Sequence, residues 1–550
     1  MTTTPQGFST HQVINQVPPL DGFDPLACDP AVAEALHLAG LPGVDELSTL
    51  AKQAGSAEAR EHGRLANRHT PELRSYDRYG NRVDEVEFHP SWHWLMSHAV
   101  RFGLHAAPWA PDAGRHAHLL RAAGFYLWSQ VEAGHGCPIS MTYASVPALR
   151  RTPELAEQYE PGLRSRVYDF GLRPPETKAG LLAGMSMTEK QGGSDVRTNT
   201  TTATPSADGG YTLVGHKWFT SAPMNDVFLT LAQAPGGLTC FLLPRVLPDG
   251  GRNAIRVRRL KDKLGNKSNA SGELEYEGAI GWRVGDEGRG VRTIIDMVSM
   301  TRLDCVLGSS ANMRIALSEA AWHAAHRSAF GVLLADAPAM RAVLADLALE
   351  AEAAIAAGLH LASLVDSSGG GSASDPAATA LLRIALPATK YYVCKRASTM
   401  VAEAMECLGG NGYAEDSDMP RYYREAPVLS IWEGSGTVTA LDVLRALRKE
   451  PGAVEALRTE LDTTRGAHPA YDGALDTLAT ELAEPRPERA RRLAELIALC
   501  VQASVLFRQA PNTVAEAFVA SRLGDNRHTL GILPAGVDAT ALAARVTPAD

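Results

Sequence analysis

The sequence predicts an α+β protein in which a β domain separates two helical regions, with a further helical segment at the C-terminus. Before about residue 180 and again after about residue 284, apolar residues recur at the three- and four-residue spacing of a buried helix face. Between these regions lie short β-rich runs separated by Gly, Pro, Asn and Asp. The 550 residues are also too many for one hydrophobic core, so several domains are expected.

The four predicted segments follow from this pattern in chain order. Residues 1–180 carry helical runs such as PAVAEALHLAGL and AHLLRAAGFYLWSQVEAG. Residues 181–283 hold strand-like runs such as YTLVGHKWFTSA and DVFLTLAQA, which predict a small sheet or barrel. Residues 284–448 return to long Ala- and Leu-rich helices, joined by a flexible Gly- and Ser-rich loop at 366–377. Residues 449–550 form an additional helical domain.

Composition excludes several classes of protein. The formal net charge of −9 does not suggest a polyanion as partner, and 45% hydrophobic with 21% charged residues is typical of a globular protein. No apolar run reaches the roughly 18 residues of a membrane helix, and the first 20 residues lack the two regions of a signal peptide. Seven scattered cysteines without a C-x-x-C pair predict reduced thiols, a cytoplasmic location and no metal site.

A Gly-rich stretch, GMSMTEKQGGSDVRTNT at 184–200, opens the predicted β domain. Its backbone N–H groups and hydroxyls suit a large polar ligand with carbonyls and phosphates. Gly192 and Gly193 would let the backbone approach such a ligand, and Ser194 would add a donor. The alternative, which the loop taken alone favours, is a solvated loop leading into a hairpin. A β domain between two helical domains also forms a crevice, where cofactors tend to bind.

Three further motifs bear on the same ligand. GHKWFTSA (215–222) places aromatic side chains beside hydroxyl groups. An aromatic ring there can cover a flat heteroaromatic ring while a hydroxyl donates a hydrogen bond to it, although one of the two alternating aromatic positions is expected in the sheet core. ECLGGNGYAED (406–416) places a polar turn after a helix stopped by two glycines, or is a plain helix cap. In SIWEGSGTV (430–438), the apolar surroundings of Glu433 suit a general base, although it could also be a helix N-terminal acid.

These four motifs, in this order and spacing, resemble those of the acyl-CoA dehydrogenase flavoprotein family. The resemblance is closer to its AidB-like members and runs nearly end to end, through THQVINQVPPL, GRLANRHTPELRSYDRYG, VEAGHGCPISMTYA, LPDGGRNAIRVRRLKDKLGNKSNASGELE and MPRYYREAPVLSIWEGSG. It implies an N-terminal helical domain, a central flavin-binding β-barrel or sheet domain, a C-terminal helical bundle and an extra helical segment. It also implies FAD as cofactor and a homotetramer built as a dimer of dimers.

Residue by residue, the resemblance implies a base and a set of FAD contacts. The base is Glu433, which would take the α-proton of an acyl-CoA thioester as the β-hydrogen leaves as hydride to flavin N5. Arg327 and the Gly-rich turn would reach the FAD of a neighbouring subunit. Trp432 replaces the tyrosine common before the base, while Ala329 and Glu406 stand where a hydroxyl and a glutamine are usual. The implied FAD contacts are Met187, Thr188, Gly193, Ser194, Phe219, Thr220, Ser221, Arg327, Gly409, Gly410, Trp432, Ser435 and Thr437.

The AidB-like resemblance also implies a link to the bacterial response to DNA alkylation, with sequence-independent binding of double-stranded DNA through the C-terminal segment. Charge argues mildly against strong binding, because residues 451–550 hold ten arginines against thirteen acidic residues, a net charge of −3. A second basic cluster, at 256–267, could meet CoA phosphates, DNA or only water. The candidate DNA-binding patch, whose alternative is a solvated helix start with local ion pairs, consists of Arg486, Arg489, Arg491 and Arg492.

Three functions therefore stay open. The first is an AidB-like flavoprotein with weak acyl-CoA dehydrogenase activity and DNA affinity. The second is a working acyl-CoA dehydrogenase of lipid or amino-acid catabolism that does not bind DNA. The third is a non-catalytic DNA-binding protein in which the flavin is structural and Glu433 is idle. The intact WEGSG at 432–436 argues mildly against the third.

Overall fold

The computed structural model describes residues 10–41, 43–207, 209–369, 374–524 and 529–548. Two sequence expectations fall partly beyond these ranges. The middle of the predicted Gly- and Ser-rich loop, 370–373, lies outside the described residues, and so do residues 1–9 of the stretch in which no signal peptide is expected.

The architecture is helices, a β domain, helices and a helical C-terminal segment, which confirms the predicted α+β class. An antiparallel hairpin also lies within the N-terminal region, which was expected to be helical: β1 (Glu72–Tyr76) and β2 (Arg82–Glu87). It forms because the Asp77 carboxylate accepts bonds from the backbone N–H groups of Tyr79 and Asn81 and so closes the turn. The helices of this region are α1 (Pro30–Leu38), α2 (Asp45–Ala54), α3 (Ala57–Arg68), α4 (Pro90–Arg101), α5 (Ala117–Ser129), α6 (Gly136–Leu149) and α7 (Pro153–Leu163).

The β domain is a small closed barrel. Its strands are β3 (Ala183–Thr188), β4 (Thr202–Pro205), β5 (Tyr211–Ser221), β6 (Val227–Ala234), β7 (Gly237–Pro244), β8 (Ile255–Leu260) and β9 (Ser271–Val284). The pairings run β3–β5–β9–β7–β6 and return to β3, with β4 and β8 as additional strands. Leu213, Phe241 and Leu274 fill the interior. The ends of β3 and β5 meet where Thr188 pairs with Phe219.

Long helices form the bundle that follows the barrel. They are α8 (Gly290–His326), α9 (Pro338–Ser368), α10 (Pro376–Glu406), α11 (Gly410–Tyr413), α12 (Met419–Leu429) and α13 (Gly436–Lys449). Helices α8, α9 and α10 pack against one another, and α12 packs on α8 and α10. A short hairpin projects between α8 and α9, with β10 (Ser328–Ala329) paired to β11 (Val332–Leu333) and Phe330 fully exposed at its tip.

The C-terminal segment packs tightly on this bundle. It comprises α14 (Ala453–Asp462), α15 (Pro469–Ala483), α16 (Ala490–Gln509), α17 (Asn512–Val519) and α18 (Ala539–Ala544). Helix α16 packs on α9, α10 and α13, so the apolar core continues from the bundle into the segment. Buried ion pairs add to this contact, since Arg522 bonds Asp346 and Glu350 on α9. In the described part of the chain, no helix combines the length and apolar character needed to cross a bilayer.

Candidate active site

Glu433 lies in a tight loop between α12 and α13. Its φ of +57° is a left-handed conformation that is uncommon for a residue with a side chain. Lys390 Nζ donates to the carbonyls of Trp432 at 2.9 Å and Gly434 at 2.6 Å. Arg302 Nε donates to the carbonyl of Glu433 at 3.0 Å. Two cations thus bind three consecutive carbonyls, which offsets the backbone strain and fixes the loop.

Among the described residues, the Glu433 carboxylate accepts a hydrogen bond from one side chain. Thr301 Oγ1, on α8, donates to its Oε2 at 2.7 Å. Burial raises the pKa of Glu433, and the bond from Thr301 and the charges of Arg302 and Lys390 oppose that shift only in part. A carboxylate with a raised pKa is a stronger proton acceptor, as a general base requires.

A narrow cavity of about 40 Å³ lies beside Glu433, between α5, α6, α8 and α12. Its walls are mostly apolar, with Phe125, Met141, Leu429 and Trp432 among the lining residues. The arrangement can hold a small group next to a carboxylate and keep bulk water away from it.

Glu189 shapes the predicted flavin loop, although sequence reasoning assigned it no role. Lys217 Nζ donates to its Oε1 at 2.9 Å, and the backbone N–H groups of Thr200 and Thr201 donate at 2.7 and 3.1 Å. Burial alone would raise the pKa of Glu189, but Lys217 and these bonds lower it to about 2. The sequence did carry one signal for a buried partner of Glu189. Lys217 occupies an inward-facing position of β5, within the motif GHKWFTSA.

The ends of β3 and β5 bring several predicted FAD contacts together. Thr188 pairs with Phe219, whose side chain is half exposed, and Met187 precedes Thr188 on β3. Ser221 lies beside Cys137, a residue of the cavity wall. Burial raises the pKa of the Cys137 thiol, and the Ser221 hydroxyl opposes part of that shift.

Thr220 does not share this face. Strand alternation turns its side chain into the barrel, where it is fully buried and its hydroxyl bonds that of Ser186. Because side chains alternate along the strand, the side chain of Thr220 cannot contact a cofactor on the Phe219 face. Only the backbone of Thr220 could bind a cofactor there.

The remaining predicted contacts lie on exposed segments. A Cβ on Gly193 would lie 3.0 Å from the Thr188 side chain, so a larger residue there would need that side chain to shift, and Ser194 follows it in the exposed loop. Arg327 donates to the carbonyl of Asn15 at the base of the exposed hairpin. Gly409, with φ of +58°, and Gly410 form an open turn in which an added Cβ would meet no atom within 4 Å.

Several polar groups around the cavity lack partners in the described residues. The indole Nε1 of Trp432 and the hydroxyl of Ser140, on two lining residues, are buried without a hydrogen bond. Ser435 begins α13 without a side-chain cap bond, and Thr437 is exposed in the first turn. Buried polar groups are normally satisfied, so these atoms call for a polar ligand. Together with the exposed Phe219 ring and the open glycine turn, they fit FAD.

The predicted DNA-binding arginines are bonded within the chain. Helix α16 begins at Ala490, after two of the four, so Arg486 does not share a helix face with Arg492. Arg489 and Arg492 both bond Glu481, the latter at 3.1 Å. Glu484 accepts a bond from Arg486 at 2.7 Å, while Arg491 donates to the hydroxyl of Tyr391 at 3.1 Å.

The second basic cluster is partly paired with acids of its neighbouring strand. Strands β8 and β9 are antiparallel partners, and the basic residues of β8 face acids of β9. Arg256 bonds Glu277 at 3.1 Å, and Arg259 bonds Glu273 at 2.7 Å. These pairs offset part of the positive charge of the cluster.

Comparison with known families matches most of the chain. Residues 15–170 match the N-terminal domain of the adaptive response protein AidB. Residues 184–279 match the middle domain of acyl-CoA dehydrogenases, and residues 288–448 match their C-terminal domain.

Individual relatives agree with these matches. AidB of Escherichia coli strain K12 is 46% identical over 513 residues, which cover 93% of this chain and 94% of that protein. The crystal structure of Caenorhabditis elegans ACDH-11 in complex with C11-CoA superposes with a TM-score of 0.82 at 27% identity, covering 99% of this chain and 94% of that one. The structure of Bd2924 in its apo-form also gives a TM-score of 0.82, at 30% identity, with 90% and 100% of the two chains covered.

Proposed function

Because the chain belongs to the acyl-CoA dehydrogenase family of FAD-dependent oxidoreductases, and is 46% identical to AidB of Escherichia coli, we propose that it dehydrogenates a short acyl-CoA thioester between Cα and Cβ with Glu433 as the base. The observation that carries the proposal is the position of Glu433 beside a narrow cavity, in a loop held by two cations. A thioester group in that cavity would present its weakly acidic α-proton to the carboxylate.

The chain's own residues account for proton removal and positioning. Glu433 accepts the α-proton, and Thr301 holds one carboxylate oxygen so that the other is free for the substrate. No described residue accepts a bond from the backbone N–H of Glu433, so this donor is available for the thioester carbonyl, where negative charge develops. The apolar walls around Phe125 and Trp432 exclude water from the reacting atoms.

FAD, when bound, supplies the two-electron acceptor for the β-hydrogen. The residues proposed to hold it lie at the ends of β3 and β5, in the following loop and around the start of α13. They are Met187, Thr188, Gly193, Ser194, Phe219, Ser221, Trp432, Ser435 and Thr437.

Anaerobic flavin bleaching tests the proposed activity. The FAD-loaded protein is mixed with butyryl-, isovaleryl-, valeryl- and dodecanoyl-CoA, and the absorbance of the oxidised flavin is followed. We expect at least one of the three shorter thioesters to bleach the flavin, and dodecanoyl-CoA to bleach it more slowly, because the cavity beside Glu433 is narrow. Bleaching by none of the four would contradict the proposal.

We also propose that the protein is a homotetramer in which neighbouring subunits complete each FAD site. Arg327 and the Gly409–Gly410 turn lie on exposed segments outside the Glu433 cavity, which supports a role toward a neighbour. The fully exposed Phe330, with Val332 and Leu333 beside it, is an apolar surface of the kind that subunit interfaces cover.

Binding of double-stranded DNA, in an adaptive response to alkylation, is the second candidate activity. It is supported by the likeness to AidB and by the arginine cluster, where Arg486, Arg489 and Arg492 keep between 47% and 63% of their side-chain surface exposed. Because their glutamate partners already neutralise part of this charge, we expect weak binding that falls with salt, with a slope set by the few phosphates contacted. The seven cysteines, none in a disulfide, support a location in the reducing cytoplasm.

A further inference from the structure

Three carboxylates border the cavity, and two of them have clear partners. Glu433 receives the bond from Thr301 and serves as the proposed base. Asp304 forms a two-bond pair with the buried guanidinium of Arg121, which neutralises its charge. The third, Glu425 on α12, has no cation bonded to it among the described residues.

Among the described residues, only one of the two carboxyl oxygens of Glu425 accepts a hydrogen bond. The backbone N–H of Asn266 donates to its Oε2 at 2.7 Å, and no other described group bonds the carboxyl, although the residue is only 2% exposed. Lys263 and Arg421, whose charges act on Glu425, donate to other groups: Lys263 to the carbonyl of Asn269 at 2.6 Å and Arg421 to that of Val131 at 3.0 Å. One oxygen of a buried carboxyl group is therefore available at the cavity wall.

Two further polar groups of the same wall lack partners. The side-chain oxygen of Asn266 and the hydroxyl of Ser140, on two residues of the cavity lining, are buried and make no hydrogen bond among the described residues. A purely hydrocarbon acyl group would cover these atoms and the free oxygen of Glu425 without satisfying them, which is unfavourable.

We propose that Glu425 and Asn266 recognise a hydroxyl group on a short acyl chain, so that hydroxylated short-chain acyl-CoA thioesters are preferred over their hydrocarbon counterparts. A hydroxyl suits this pair in either protonation state of the acid. It can donate to an ionised Glu425, or accept from the neutral acid while it donates to the Asn266 oxygen. The inference rests on the proposed function, because it assumes that the acyl group occupies this cavity.

Binding of isosteric thioesters to the FAD-loaded protein tests the inference. Two pairs differ only in a terminal hydroxyl against a methyl group: 4-hydroxybutyryl- with valeryl-CoA, and 5-hydroxyvaleryl- with hexanoyl-CoA. Isothermal titration calorimetry gives their dissociation constants. We expect at least one hydroxylated thioester to bind about tenfold or more tightly than its partner, the range expected for a hydrogen bond to an acid in a dry site.

Two variants separate recognition from folding. Glu425→Met should bring the ratio of affinities to about one or below, while FAD content and the affinity for the hydrocarbon thioester persist. Glu425→Gln keeps a carbonyl for the Asn266 N–H and offers an amide donor, so it should retain most of the preference for the hydroxylated thioester. This variant tests the recognition by Glu425 if the Met variant does not fold.

Different results overturn different conclusions. Wild-type protein that binds valeryl- or hexanoyl-CoA as tightly as the hydroxylated partner would overturn this inference and leave the proposed function intact. Retention of the preference by Glu425→Met would do the same. Failure of all four thioesters to bind or to bleach the flavin would overturn the proposed function and this inference with it.

Discussion

At Glu433, the surroundings rather than the residue type produce a base. Burial raises the pKa of the carboxyl, while the hydrogen bond from Thr301 and two nearby cations oppose part of that shift. The left-handed backbone is tolerated because Lys390 and Arg302 bind the loop carbonyls. Two substitutions separate the chemical role of the carboxylate from the role of its neighbour.

Glu433→Gln keeps the size of the side chain and removes the proton acceptor. We expect flavin bleaching by a short acyl-CoA to slow by about 10²–10⁴-fold, because that is the usual contribution of a general base. FAD content should stay unchanged, as measured by the flavin absorbance of the purified protein. Bleaching at the wild-type rate would assign the base to another residue.

Thr301→Val should shift the pH dependence of bleaching. The bond from Thr301 lowers the pKa of Glu433, so its loss lets burial raise that pKa further. Bleaching requires the ionised base and rises with pH, so the rising limb of the pH–rate profile should move to higher pH. Thr301→Ser, which keeps the hydroxyl, is the control and should leave the limb in place. An unchanged profile in the Val variant would show that Thr301 does not tune the base.

At the scale of elements, the flavin loop depends on one buried ion pair. Glu189 joins the loop to β5 through Lys217 and binds the backbone at the far end of the loop through Thr200 and Thr201. Lys217 also donates to the carbonyl of Leu231 on β6 at 2.7 Å, so a single ammonium group connects the loop with two strands of the barrel.

Lys217→Met should destabilise the protein by about 3–5 kcal/mol, because it leaves the Glu189 carboxylate buried without a cation. The double variant Lys217→Met/Glu189→Gln removes the unpaired charge and should recover part of that loss. Urea unfolding at pH 7 measures the stability of both variants, and FAD content reports the order of the loop.

Because the pKa of Glu189 is lowered to about 2, its contribution to the free energy of unfolding is present above its ordinary pKa of 4.5 and fades as the pH falls from there toward 2. A single variant as stable as wild type would contradict this assignment.

At the scale of the whole molecule, two surfaces are proposed to contact other molecules. One is the hairpin with Arg327 and Phe330, which projects between α8 and α9. The other is the arginine cluster at the start of α16, in a segment that shares its core with the bundle.

Arg327→Ala should weaken FAD binding if this residue reaches a neighbour's cofactor. Phe330→Ser should instead shift the protein from tetramers to smaller species, because it removes apolar surface from the proposed interface. Analytical ultracentrifugation gives the assembly state, and titration of the flavin-free protein gives the affinity for FAD. Tyr79→Ser, which removes another exposed aromatic ring far along the chain, is the matched control. Unchanged FAD affinity in Arg327→Ala would remove the cross-subunit role.

Replacement of all four clustered arginines by alanine should flatten the salt dependence of DNA binding without changing FAD content. Each phosphate contact contributes about 0.9 to the slope of log affinity against log salt for duplex DNA. Fluorescence anisotropy with duplexes of unrelated sequence measures the slope. Wild-type slope and affinity in the variant would exclude this cluster, and no binding by the wild type at low salt would leave only the dehydrogenase activity.

By itself, the sequence determined the α+β class, the family and the motif that contains the proposed base. These depend on local periodicity and on contiguous runs such as WEGSG at 432–436, which need no knowledge of distant contacts. The N-terminal hairpin escaped prediction because a side-chain bond from Asp77 closes its turn, a local feature hidden among helical patterns.

Only the tertiary structure decided which groups meet. Thr301 and Glu433 are 132 residues apart, and Asn266 and Glu425 are 159 apart, so neither contact leaves a periodic signal in the sequence. The charge of a cluster likewise depends on its partners, as when Glu481 pairs with two arginines of the C-terminal segment and offsets part of their charge. The physical reason is that hydrogen bonds and ion pairs act over a few ångströms, and packing alone brings residues distant in sequence within that range.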